Sequence, residues 1–373
     1  MMFCMDSVLG VINLMNENPF LKELTNHRCL ASVPFAGRYR LIDFTLSNFI
    51  HANISQVAVF AKEKYRSLMD HLGSGKEWDL DRNTGGLYIL PPIHPDEKIK
   101  GDLQQFYDHI EFFRRSSADT VIITPGHHVC KIDFNHVIKE HRESRADITV
   151  IYKEYQGDPV LKPIYHKCLV DANGMISDIE LYTSPRCGEA VSIETFVINK
   201  QLLISLILQC IENHEYDFLK DIVKSNLHHI KVKGYHFTGD MPFIHSIDSY
   251  FSSNMAFLNP KILHSFFYND WDIYTKVKHE APVKYGKDAN VSNSLLANGC
   301  TIEGIVENSI IFRGVNIGKG AVVKNSIIMQ KGDIEEGAYV ENVVADKQVT
   351  ITKHSVVVGY DQPKVIHKAK LIE

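Results

Sequence analysis

The sequence predicts an α/β domain with a mostly parallel sheet and helices on both faces, followed by a left-handed parallel β-helix. Across residues 1–258, short apolar runs alternate with helical patterns, and this order produces parallel strands joined by right-handed crossovers. From Val291, an aliphatic residue recurs at roughly every sixth position between turn-forming residues, which is the hexapeptide pattern of a parallel β-helix. We therefore predict a domain over 1–258, a linker over 259–288 and a β-helix over 289–373.

The first strand contains the apolar run Val8–Ile12 and leads into a polar loop, Asn13–Asn18. A loop between a buried strand and a helix is the usual place for an α/β protein to hold a phosphate. Backbone amides close around a phosphate where glycine removes the Cβ, and this loop has no glycine after Gly10. Glu17 adds a negative charge. The loop is therefore poorly suited to phosphate and is equally well explained as an ordinary strand–helix connection.

The alternation of strands and helices continues along the first domain. The loop Pro125–His128 follows the buried strand Thr120–Thr124, and open α/β sheets place ligands at the carboxyl ends of such strands. The stretch Asn259–Tyr285 contains prolines and aromatic residues and is interpreted as an extended linker. The patterns predict strands at 56–61, 120–124, 148–152 and 230–237, and helices at 43–52, 64–72, 102–115, 134–144, 200–213 and 247–258.

Related six-residue segments repeat through the C-terminal region. Successive repeats are 15, 17 and 17 residues apart, so each step corresponds to one coil of three strands. An asparagine recurs at one phase, and we interpret these asparagines as a hydrogen-bonded ladder at a coil corner; solvated turn residues are the alternative. The repeats VSNSLL, VENSII, VKNSII and VENVVA begin at Val291, Val306, Val323 and Val340, and their asparagines are Asn293, Asn308, Asn325 and Asn342.

Composition argues against several classes of protein. The chain has 373 residues and a net charge of −5, which gives no electrostatic reason to bind nucleic acid or an anionic membrane. Its seven cysteines are scattered and never spaced as CxxC, so neither a disulfide framework nor a zinc site is expected. No apolar run approaches the roughly 18 residues of a membrane span, and the N-terminus lacks the early positive charge of a signal peptide. We expect a cytoplasmic protein.

One long stretch of the chain resembles a known family. Residues 21–48, LKELTNHRCLASVPFAGRYRLIDFTLSN, are similar to the N-terminal signature of bacterial ADP-glucose pyrophosphorylases (glucose-1-phosphate adenylyltransferases). GGLYILPP at 85–92 and DFLKDI at 217–222 also match, and the family has the same order of nucleotidyltransferase domain, linker and β-helix. The resemblance implies a Rossmann-like nucleotidyltransferase fold and a part in glycogen biosynthesis, in which the family joins ATP and glucose 1-phosphate into ADP-glucose and pyrophosphate.

The family's charged site residues are replaced in this sequence. The family uses a magnesium ion held by two aspartates, together with an arginine and a lysine, because the reaction brings several negative oxygens together. Its arginine-bearing loop falls on Asn13–Phe20, where no arginine is present, and its lysine falls on Leu30. The two metal-binding aspartates fall on His127 and Phe243. The motif that grips the sugar phosphate has no counterpart near Ile179–Ser184.

These replacements predict a chain without turnover of its own. In the family's sugar site only Ser192 is retained, and a glycine becomes Glu194. Removing one preorganised charged group usually costs about 3 kcal/mol of barrier or more, and several are replaced here. The chain therefore resembles the non-catalytic, GlgD-type regulatory subunits of the family, with no catalytic residue, metal or cofactor of its own.

The same resemblance implies a partner. Magnesium is expected only in a catalytic subunit of the family, with which this chain would form a hetero-oligomer, expected to be a tetramer. An open-ended β-helix would also allow the chain to associate with itself.

Three arginines near the N-terminus are candidate anion ligands. Arg28 and Arg40 match family positions in the effector pocket between the catalytic domain and the β-helix, and Arg38 lies beside them in the sequence. Arginine suits bidentate capture of phosphate, so a phosphorylated effector is expected. The alternative is that these arginines form surface ion pairs with Asp43 or Glu23.

Two other functions stay open. An active adenylyltransferase with relocated ligands would need Asp240 to replace a lost metal ligand, or a soft metal on His127 and His128. Magnesium-dependent release of pyrophosphate from the isolated chain would favour this reading. A hexapeptide acyltransferase would use a coil histidine such as His354 as a base and would have to bind acetyl-CoA, and it would leave residues 1–258 without a role.

Overall fold

The computed structural model describes residues 7–17, 21–94, 98–156, 164–268 and 271–373, and the chain forms two compact units. Unit 1 comprises Met1–Glu17 and Phe44–Met241, and unit 2 comprises Asn18–Asp43 and Pro242–Glu373. Unit 2 thus combines an early segment of the chain with the C-terminal region. The domain boundaries at 258 and 288 stay predictions from sequence pattern.

The secondary structure before the β-helix follows the predicted alternation. The strands are β1 (Val8–Asn13), β2 (Pro34–Phe35), β3 (Tyr39–Arg40), β4 (Gln56–Phe60), β5 (Gly86–Leu90), β6 (Thr120–Thr124), β7 (Ile148–Glu154), β8 (Tyr165–Val170), β9 (Ile176–Thr183), β10 (Ala190–Asn199) and β11 (Val232–His236). The α-helices are α1 (Lys22–Thr25), α2 (Leu41–His51), α3 (Arg66–Leu72), α4 (Asp102–Asp108), α5 (Ile110–Arg115), α6 (Phe134–Ser144), α7 (Lys200–Glu212), α8 (Ile247–Ala256) and α9 (Pro260–Phe267). Short 3₁₀ helices cover Leu30–Ser32 and Lys76–Trp78, and a π-helix covers Phe218–Lys224.

The sheet of unit 1 has the strand order β11-β7-β10-β6-β1-β4-β5, with β8 paired to β10 and β9 paired to β8. β1 is parallel to both of its neighbours, β4 and β6, whereas β10 is antiparallel to β6 and β7. After β1 the chain adds β4 and β5 on one side and then crosses to β6 on the other. The order of the strands therefore reverses at the carboxyl end of β1, where open α/β sheets bind ligands. The α/β prediction is confirmed, with an antiparallel part formed by β8 to β10.

β1 is the central strand and is buried on both faces. Leu9, Val11 and Ile12 have no accessible surface, as expected for a parallel strand covered by helices. A Cβ at Gly10 would lie 2.7 Å from the ring of Phe49 in α2. Gly10 therefore allows the helix to pack directly on the strand.

The C-terminal part of unit 2 is a β-helix. Its strands form three parallel sheets, and each coil contributes one strand to each sheet. The side chains of Ile302, Ile317, Ile334 and Ile351 occupy equivalent positions in successive coils and are completely buried. The left-handed β-helix prediction is confirmed. The strands are β12 (Lys284–Tyr285), β13 (Asn290–Ser292), β14 (Leu295–Leu296), β15 (Thr301–Ile302), β16 (Ile305–Glu307), β17 (Ile310–Ile311), β18 (Asn316–Ile317), β19 (Val322–Lys324), β20 (Ile327–Ile328), β21 (Asp333–Ile334), β22 (Tyr339–Glu341), β23 (Val343–Ala345), β24 (Thr350–Ile351), β25 (Val356–Val358), β26 (Lys364–Ile366) and β27 (Leu371–Ile372).

The repeated asparagines mark a sharp corner of the coil. All four have positive φ, between 41° and 53°, a conformation that asparagine tolerates better than most residues. Asn293 Nδ2 donates a hydrogen bond to Asn308 Oδ1 at 2.6 Å. The more regular ladder is made by the serines that follow, because the hydroxyl oxygens of Ser309 and Ser326 each accept a backbone N–H from the next coil at 3.1 Å.

The segment interpreted as an extended linker contains a helix and a strand. Asn259 caps α9, since its Oδ1 accepts the backbone N–H of Lys261 at 2.9 Å, and Pro260 occupies the first helical position. β12 pairs with β15 and begins the first sheet of the β-helix. Proline and aromatic content therefore concealed a short capped helix.

Two further features of the described residues bear on the expectations from composition. None of the described helices combines the length and the hydropathy needed to cross a membrane. Cys29, Cys130, Cys168, Cys187, Cys210 and Cys300 are free thiols, and only Cys187 is exposed.

Candidate functional site

The loop after β1 is tied to helix α4 by a single carboxylate. Asp102, at the start of α4, accepts hydrogen bonds from Asn13 Nδ2 at 2.9 Å and from Asn16 Nδ2 at 3.1 Å, both at Oδ2. Its other oxygen, Oδ1, accepts the backbone N–H of Phe218 at 2.9 Å. Asn13 also shapes the loop, because its Oδ1 accepts the N–H of Met15. Three segments of unit 1 therefore meet at one buried side chain.

Asp102 has an unusual electrostatic environment. Asp102 is 1% exposed, and burial, together with the negative charge of Asp217, raises its pKa to about 7. The hydrogen bonds from Phe218 and Asn13 act in the opposite direction, because they stabilise the charged form. The space at the carboxyl end of β1 therefore contains a carboxyl group of the chain itself.

A cavity of about 370 Å³ lies beside this carboxylate, and we name it the β1 cavity. Its wall has both signs of charge. Lys100 Nζ donates to the hydroxyl oxygen of Tyr216 at 3.0 Å, and Lys220 Nζ lies 3.8 Å from a carboxylate oxygen of Asp221. The lining residues are Met15, Asn16, Lys62, Ile99, Lys100, Gly101, Asp102, His214, Tyr216, Asp217, Lys220 and Asp221.

His127 and His128 lie in the loop at the carboxyl end of β6. Asn48 of α2 supports this loop by donating to the carbonyl of Cys130 at 3.0 Å. The two imidazole rings are 5.0 Å apart, edge to face, and the structure gives neither Nδ1 atom a hydrogen-bond partner. Burial lowers the pKa of His127 to about 4 and lowers that of His128 well below its usual value, with a further contribution from His127. Both rings are therefore neutral at physiological pH.

Ser192 and Glu194 lie at a bulge in β10. The pairing of β10 with β7 shifts between Ser192 and Thr195, and Ser192 Oγ accepts the backbone N–H of Glu194 at 3.0 Å. Thr195 anchors the bulge through a 2.9 Å hydrogen bond between its hydroxyl and that of Thr124 in β6. Glu194 has a φ of 52°, a left-handed conformation that suits the glycine of the family pattern and strains a glutamate.

The carboxyl group of Glu194 belongs to the same electrostatic neighbourhood as Asp102. Desolvation, together with the charges of Asp102 and Asp217, raises its pKa to about 7. Its Oε1 lies 3.6 Å from Nε2 of His166, whose own pKa is lowered by burial. The carboxyl groups of Asp102, Asp217 and Glu194 are therefore close enough to act on one another as like charges, near the lysines of the β1 cavity.

Asp240 is close to a lysine. Lys153 Nζ donates to the carbonyl of Gly239 at 2.6 Å and lies over the ring of Phe237. Burial lowers the pKa of Lys153, and the charge of Asp240 partly restores it. The acidic side chain that would have to replace a metal ligand thus has a cation for a neighbour.

Within unit 2, Arg28 forms a buried ion pair with Asp346. Its Nη2 lies 2.8 Å from both carboxylate oxygens of Asp346, and the two side chains are 2% and 3% exposed. Nη1 also faces the sulfur of Met329 at 4.0 Å. The segment that contains Arg28 is therefore fastened to the coil that contains Asp346. The expected surface pairing of Arg28 with Asp43 or Glu23 is not the arrangement that the structure shows.

A cluster of positive charge surrounds this ion pair, and we name it the cation cluster: Arg28, Arg40, Lys347 and Lys368. Burial, together with the charges of Arg40, Arg28 and Lys368, lowers the pKa of Lys347 to about 7, while Asp346 opposes the shift. A lysine whose charge is disfavoured by neighbouring cations marks a place where an anion would be stabilised. The structure thus brings Arg28 and Arg40 together with two lysines that the sequence analysis did not select.

Three other residues that were selected from the sequence, Arg38, Leu30 and Phe243, also lie in unit 2. Arg38 lies over the ring of Tyr39 at 5.6 Å, and that ring stacks on Phe267 at 4.7 Å. Leu30 is buried in its 3₁₀ helix. The carbonyl of Phe243 is 3.0 Å from Nδ1 of His245. Leu30 and Phe243 belong to unit 2, whereas His127 and Ser192 belong to unit 1.

The sequence marks Asp346 as unusual, because it interrupts the apolar pattern of the β-helix repeat. Asp346 occupies the coil phase at which earlier coils carry Ala297, Phe312 and Met329, as the backbone pairing between coils shows. A charged residue in a column of apolar residues requires a buried partner. Lys347 follows it directly, so this exception to the repeat would have located the cation cluster.

Comparison with known proteins agrees with this architecture. Residues 21–241 match the family model described as nucleotidyl transferase, and residues 276–368 match the model described as GlmU-like, C-terminal hexapeptide. The chain is 40% identical over 366 residues to the glycogen biosynthesis protein GlgD of Bacillus subtilis (strain 168), covering 97% of this chain and 96% of that protein. It is 38% identical to the GlgD protein of Geobacillus stearothermophilus, covering 85% and 83% of the two chains. It is also 32% identical to the glucose-1-phosphate adenylyltransferase of Thermotoga neapolitana, covering 85% and 76%.

Proposed function

We propose that this chain is a regulatory subunit in glycogen biosynthesis and has no turnover of its own. The chain belongs to the nucleotidyl transferase family and groups there with the GlgD glycogen biosynthesis proteins. Its partner would be a catalytic glucose-1-phosphate adenylyltransferase, which converts ATP and glucose 1-phosphate into ADP-glucose and pyrophosphate. The observation that carries the proposal is the group of neighbouring carboxyl groups formed by Asp102, Asp217 and Glu194 in unit 1.

The reaction requires positive charge at the place where phosphates meet. The oxygen of a sugar phosphate attacks the α-phosphorus of ATP, and catalysis depends on neutralising the oxygens around it. Asp102, Asp217 and Glu194 instead act on one another as like charges, because Asp217 raises the pKa of each of the other two. A cleft with this electrostatic character supports a scaffold role better than a catalytic one.

The residues at the expected metal positions do not fit magnesium. Mg²⁺ prefers hard oxygen ligands in near-octahedral geometry. The loop after β6 offers the neutral imidazoles of His127 and His128 instead. In the part of the chain that the structure describes, no three His, Cys, Asp or Glu side chains are grouped to hold a metal ion. We therefore assign magnesium to the catalytic partner and no cofactor to this chain.

The cation cluster supports binding of a phosphorylated effector. Arg40, Lys347 and Lys368 combine several donors. The pKa of Lys347 is lowered first by burial and then by the charges of Arg40, Arg28 and Lys368, so these cations add to the cost of its charge. A phosphate group would relieve that repulsion. Arg28 would share its guanidinium between the effector and Asp346.

The last coil of the β-helix supports assembly with another subunit. β25, β26 and β27 each have one paired neighbour, so their outer edges offer backbone donors and acceptors. Exposed apolar or aromatic side chains lie on this coil, including Val356, Tyr360 and Leu371. Such an edge suits docking onto a second subunit, and we propose a hetero-oligomer, a tetramer by analogy with the family, with self-association as the lesser arrangement. The charge of −5 supports neither a nucleic acid nor a membrane partner, and a cytoplasmic location stays a prediction.

The proposal is tested by reconstitution with the catalytic subunit from the same genome. The two chains are expressed together, purified through a tag on this chain, and their mass is measured by light scattering. ADP-glucose formation is then assayed for each chain alone and for the complex. We expect a stable complex that is more active, or more responsive to effectors, than the catalytic subunit alone. Separate elution of the two chains, or identical rates with and without this chain, would count against the proposal.

Two further measurements on the isolated chain separate the alternatives. Magnesium-dependent pyrophosphate release by the isolated chain would indicate an active adenylyltransferase with relocated ligands. Binding of acetyl-CoA would indicate a hexapeptide acyltransferase. The structure favours neither alternative, because Lys153 neighbours Asp240 and the ring of His354 packs over Gly337 in a turn of the β-helix.

A further inference from the structure

The hydrogen bonds of Asp102 occupy a part of the fold that usually serves a ligand. The order of the strands reverses at the carboxyl end of β1, and in open α/β sheets this is where an anion meets the loop after the strand. Here that loop presents the side-chain amides of Asn13 and Asn16. Both amides donate to the same oxygen of Asp102, at 2.9 and 3.1 Å.

We propose that the Asp102 carboxylate is a built-in occupant of the anion position after β1 and excludes nucleoside triphosphates from the loop formed by residues 13–17. It engages the donors that a phosphate oxygen would need, and in its ionised form it places a negative charge beside the loop. Asp102 is thereby a specificity-determining residue that acts by exclusion.

Displacing this carboxylate would be costly. An incoming triphosphate would have to break the two hydrogen bonds between the loop amides and Asp102, and it would leave the carboxyl group of this buried residue without those partners. Asp102 Oδ1 also holds the N–H of Phe218 at the start of the π-helix, so movement of α4 would disturb that helix as well. A phosphate placed beside the retained carboxylate would experience like-charge repulsion in a low-dielectric site.

The three lysines of the β1 cavity are exposed to solvent, whereas Asp102 is buried. Lys100 is engaged by the hydroxyl and the ring of Tyr216, and Lys220 lies near Asp221. Lys62 is exposed on the cavity wall. These ammonium groups lie where they could attract an anion to the mouth of the cavity, whereas Asp102 controls the loop itself.

This inference rests on the proposed function only for the location of the nucleotide site, at the carboxyl end of β1. It addresses a separate property, the binding of nucleotide. Stimulation of a catalytic partner and exclusion of ATP from this chain are measured independently. If this chain does not stimulate a catalytic partner, the exclusion of ATP is unaffected. If this chain binds ATP in the loop, the regulatory role is unaffected.

The test uses the purified full-length chain and magnesium ATP in isothermal titration calorimetry. Three proteins are compared: wild type, Asp102→Asn, and the matched control Asp108→Asn, which removes a charge from the other end of the same helix. We expect at most weak binding to the wild type and the control at millimolar ATP, and an affinity at least about tenfold higher for Asp102→Asn. Folding of each variant is checked by circular dichroism. A folded Asp102→Asn protein that gains no affinity would overturn the inference.

A second measurement avoids dependence on the variant. Hydrogen–deuterium exchange of the wild type is followed with and without magnesium ATP, with the catalytic subunit as the positive control. We expect exchange in residues 13–17 to be unchanged. ATP that protects elsewhere, such as at the lysines of the cavity mouth, agrees with the proposal if residues 13–17 stay unaffected. Protection of residues 13–17 by ATP in the wild type would overturn it.

Discussion

Arg28 and Asp346 are 318 positions apart in the sequence and form a buried ion pair, with Arg28 Nη2 2.8 Å from both carboxylate oxygens. Breaking such a pair leaves an uncompensated charge, which costs about 3–5 kcal/mol, whereas replacing both partners with apolar residues costs much less. We predict that Arg28→Ala lowers the free energy of unfolding by about 3 kcal/mol or more. The double variant Arg28→Met with Asp346→Leu should recover most of that loss.

Urea unfolding followed by circular dichroism checks this prediction. If Arg28→Ala unfolds within about 1 kcal/mol of the wild type, the pair does not fasten the early segment to the coil as the contacts indicate.

The lowered pKa of Lys347 predicts that the stability of the folded chain depends on pH. Its pKa in the folded chain is about 7, below the ordinary value of 10.5, so the unfolded chain binds more protons between these two pH values. Stability should therefore rise as the pH increases from about 7 towards 10.5. The variant Lys347→Gln should flatten this part of the profile, and Lys353→Gln, an exposed lysine of the same β-helix, should leave it unchanged. Thermal unfolding across this pH range provides the measurement.

The same lysine predicts how an anion binds. An anion at the cation cluster favours the charged form of Lys347, so binding takes up a proton and weakens as the pH rises above 7. Sulfate is the suitable probe because its own charge is constant over this range. We expect Lys347→Gln to weaken sulfate binding by roughly five- to tenfold in calorimetric titrations, with Lys353→Gln as the control. Equal affinities at pH 6.5 and 8.5 would contradict the assignment of Lys347 to the site.

Glu194 predicts a stabilising substitution. Glu194→Gly relieves a left-handed backbone, worth roughly 1 kcal/mol, and removes a carboxyl group whose pKa is raised from 4.5 to about 7. The folded chain binds more protons at that carboxyl group between these pH values, so its destabilising effect grows as the pH rises through them. The gain in melting temperature should be larger at pH 8 than at pH 5.

Arg145→Gly is the matched control, because Arg145 also has a positive φ, 49°, at the end of α6. Its gain should not depend on pH over the same range. A pH-independent gain for Glu194→Gly would show that only the backbone strain was removed.

Gly10 predicts a steric defect that a second substitution repairs. A Cβ at this position lies 2.7 Å from the ring of Phe49, so Gly10→Ala should lower the free energy of unfolding by about 1–3 kcal/mol. Adding Phe49→Leu should recover part of the loss, because the smaller side chain leaves room for the methyl group. A double-mutant cycle measured by urea unfolding reports this coupling. Additive losses would show that the two residues do not share the constraint.

Local pattern was sufficient to predict the architecture. The repeats that begin at Val291 led directly to the β-helix, because each coil repeats the same inward and outward choice of residues. The replacement of the family's glycine by Glu194 was also visible, and the structure gives it the positive φ that a glycine would tolerate. In these cases the physical requirement is local and leaves its mark on nearby residues.

The partners of the site residues could not be predicted in the same way. Arg28 was selected as a possible anion ligand, but its ion pair with Asp346 depends on which coil packs against the early segment, and no short-range period encodes that choice. Asp102 lies in an ordinary helical pattern, and its role appears only when β1 and α4 are placed side by side. Side-chain chemistry at long sequence separation is set by tertiary packing, which composition and spacing do not report.

In the function proposed above, this chain contributes structure and regulation to an enzyme whose chemistry takes place in another subunit. The decisive experiment assembles this chain with a catalytic subunit whose own metal-binding aspartates have been replaced, and measures ADP-glucose formation with magnesium, ATP and glucose 1-phosphate. We expect an assembled complex with no activity above background, while the same chain paired with an intact catalytic subunit is active. ADP-glucose formation by the complex with the disabled subunit would place the chemistry in this chain and would overturn the proposed function.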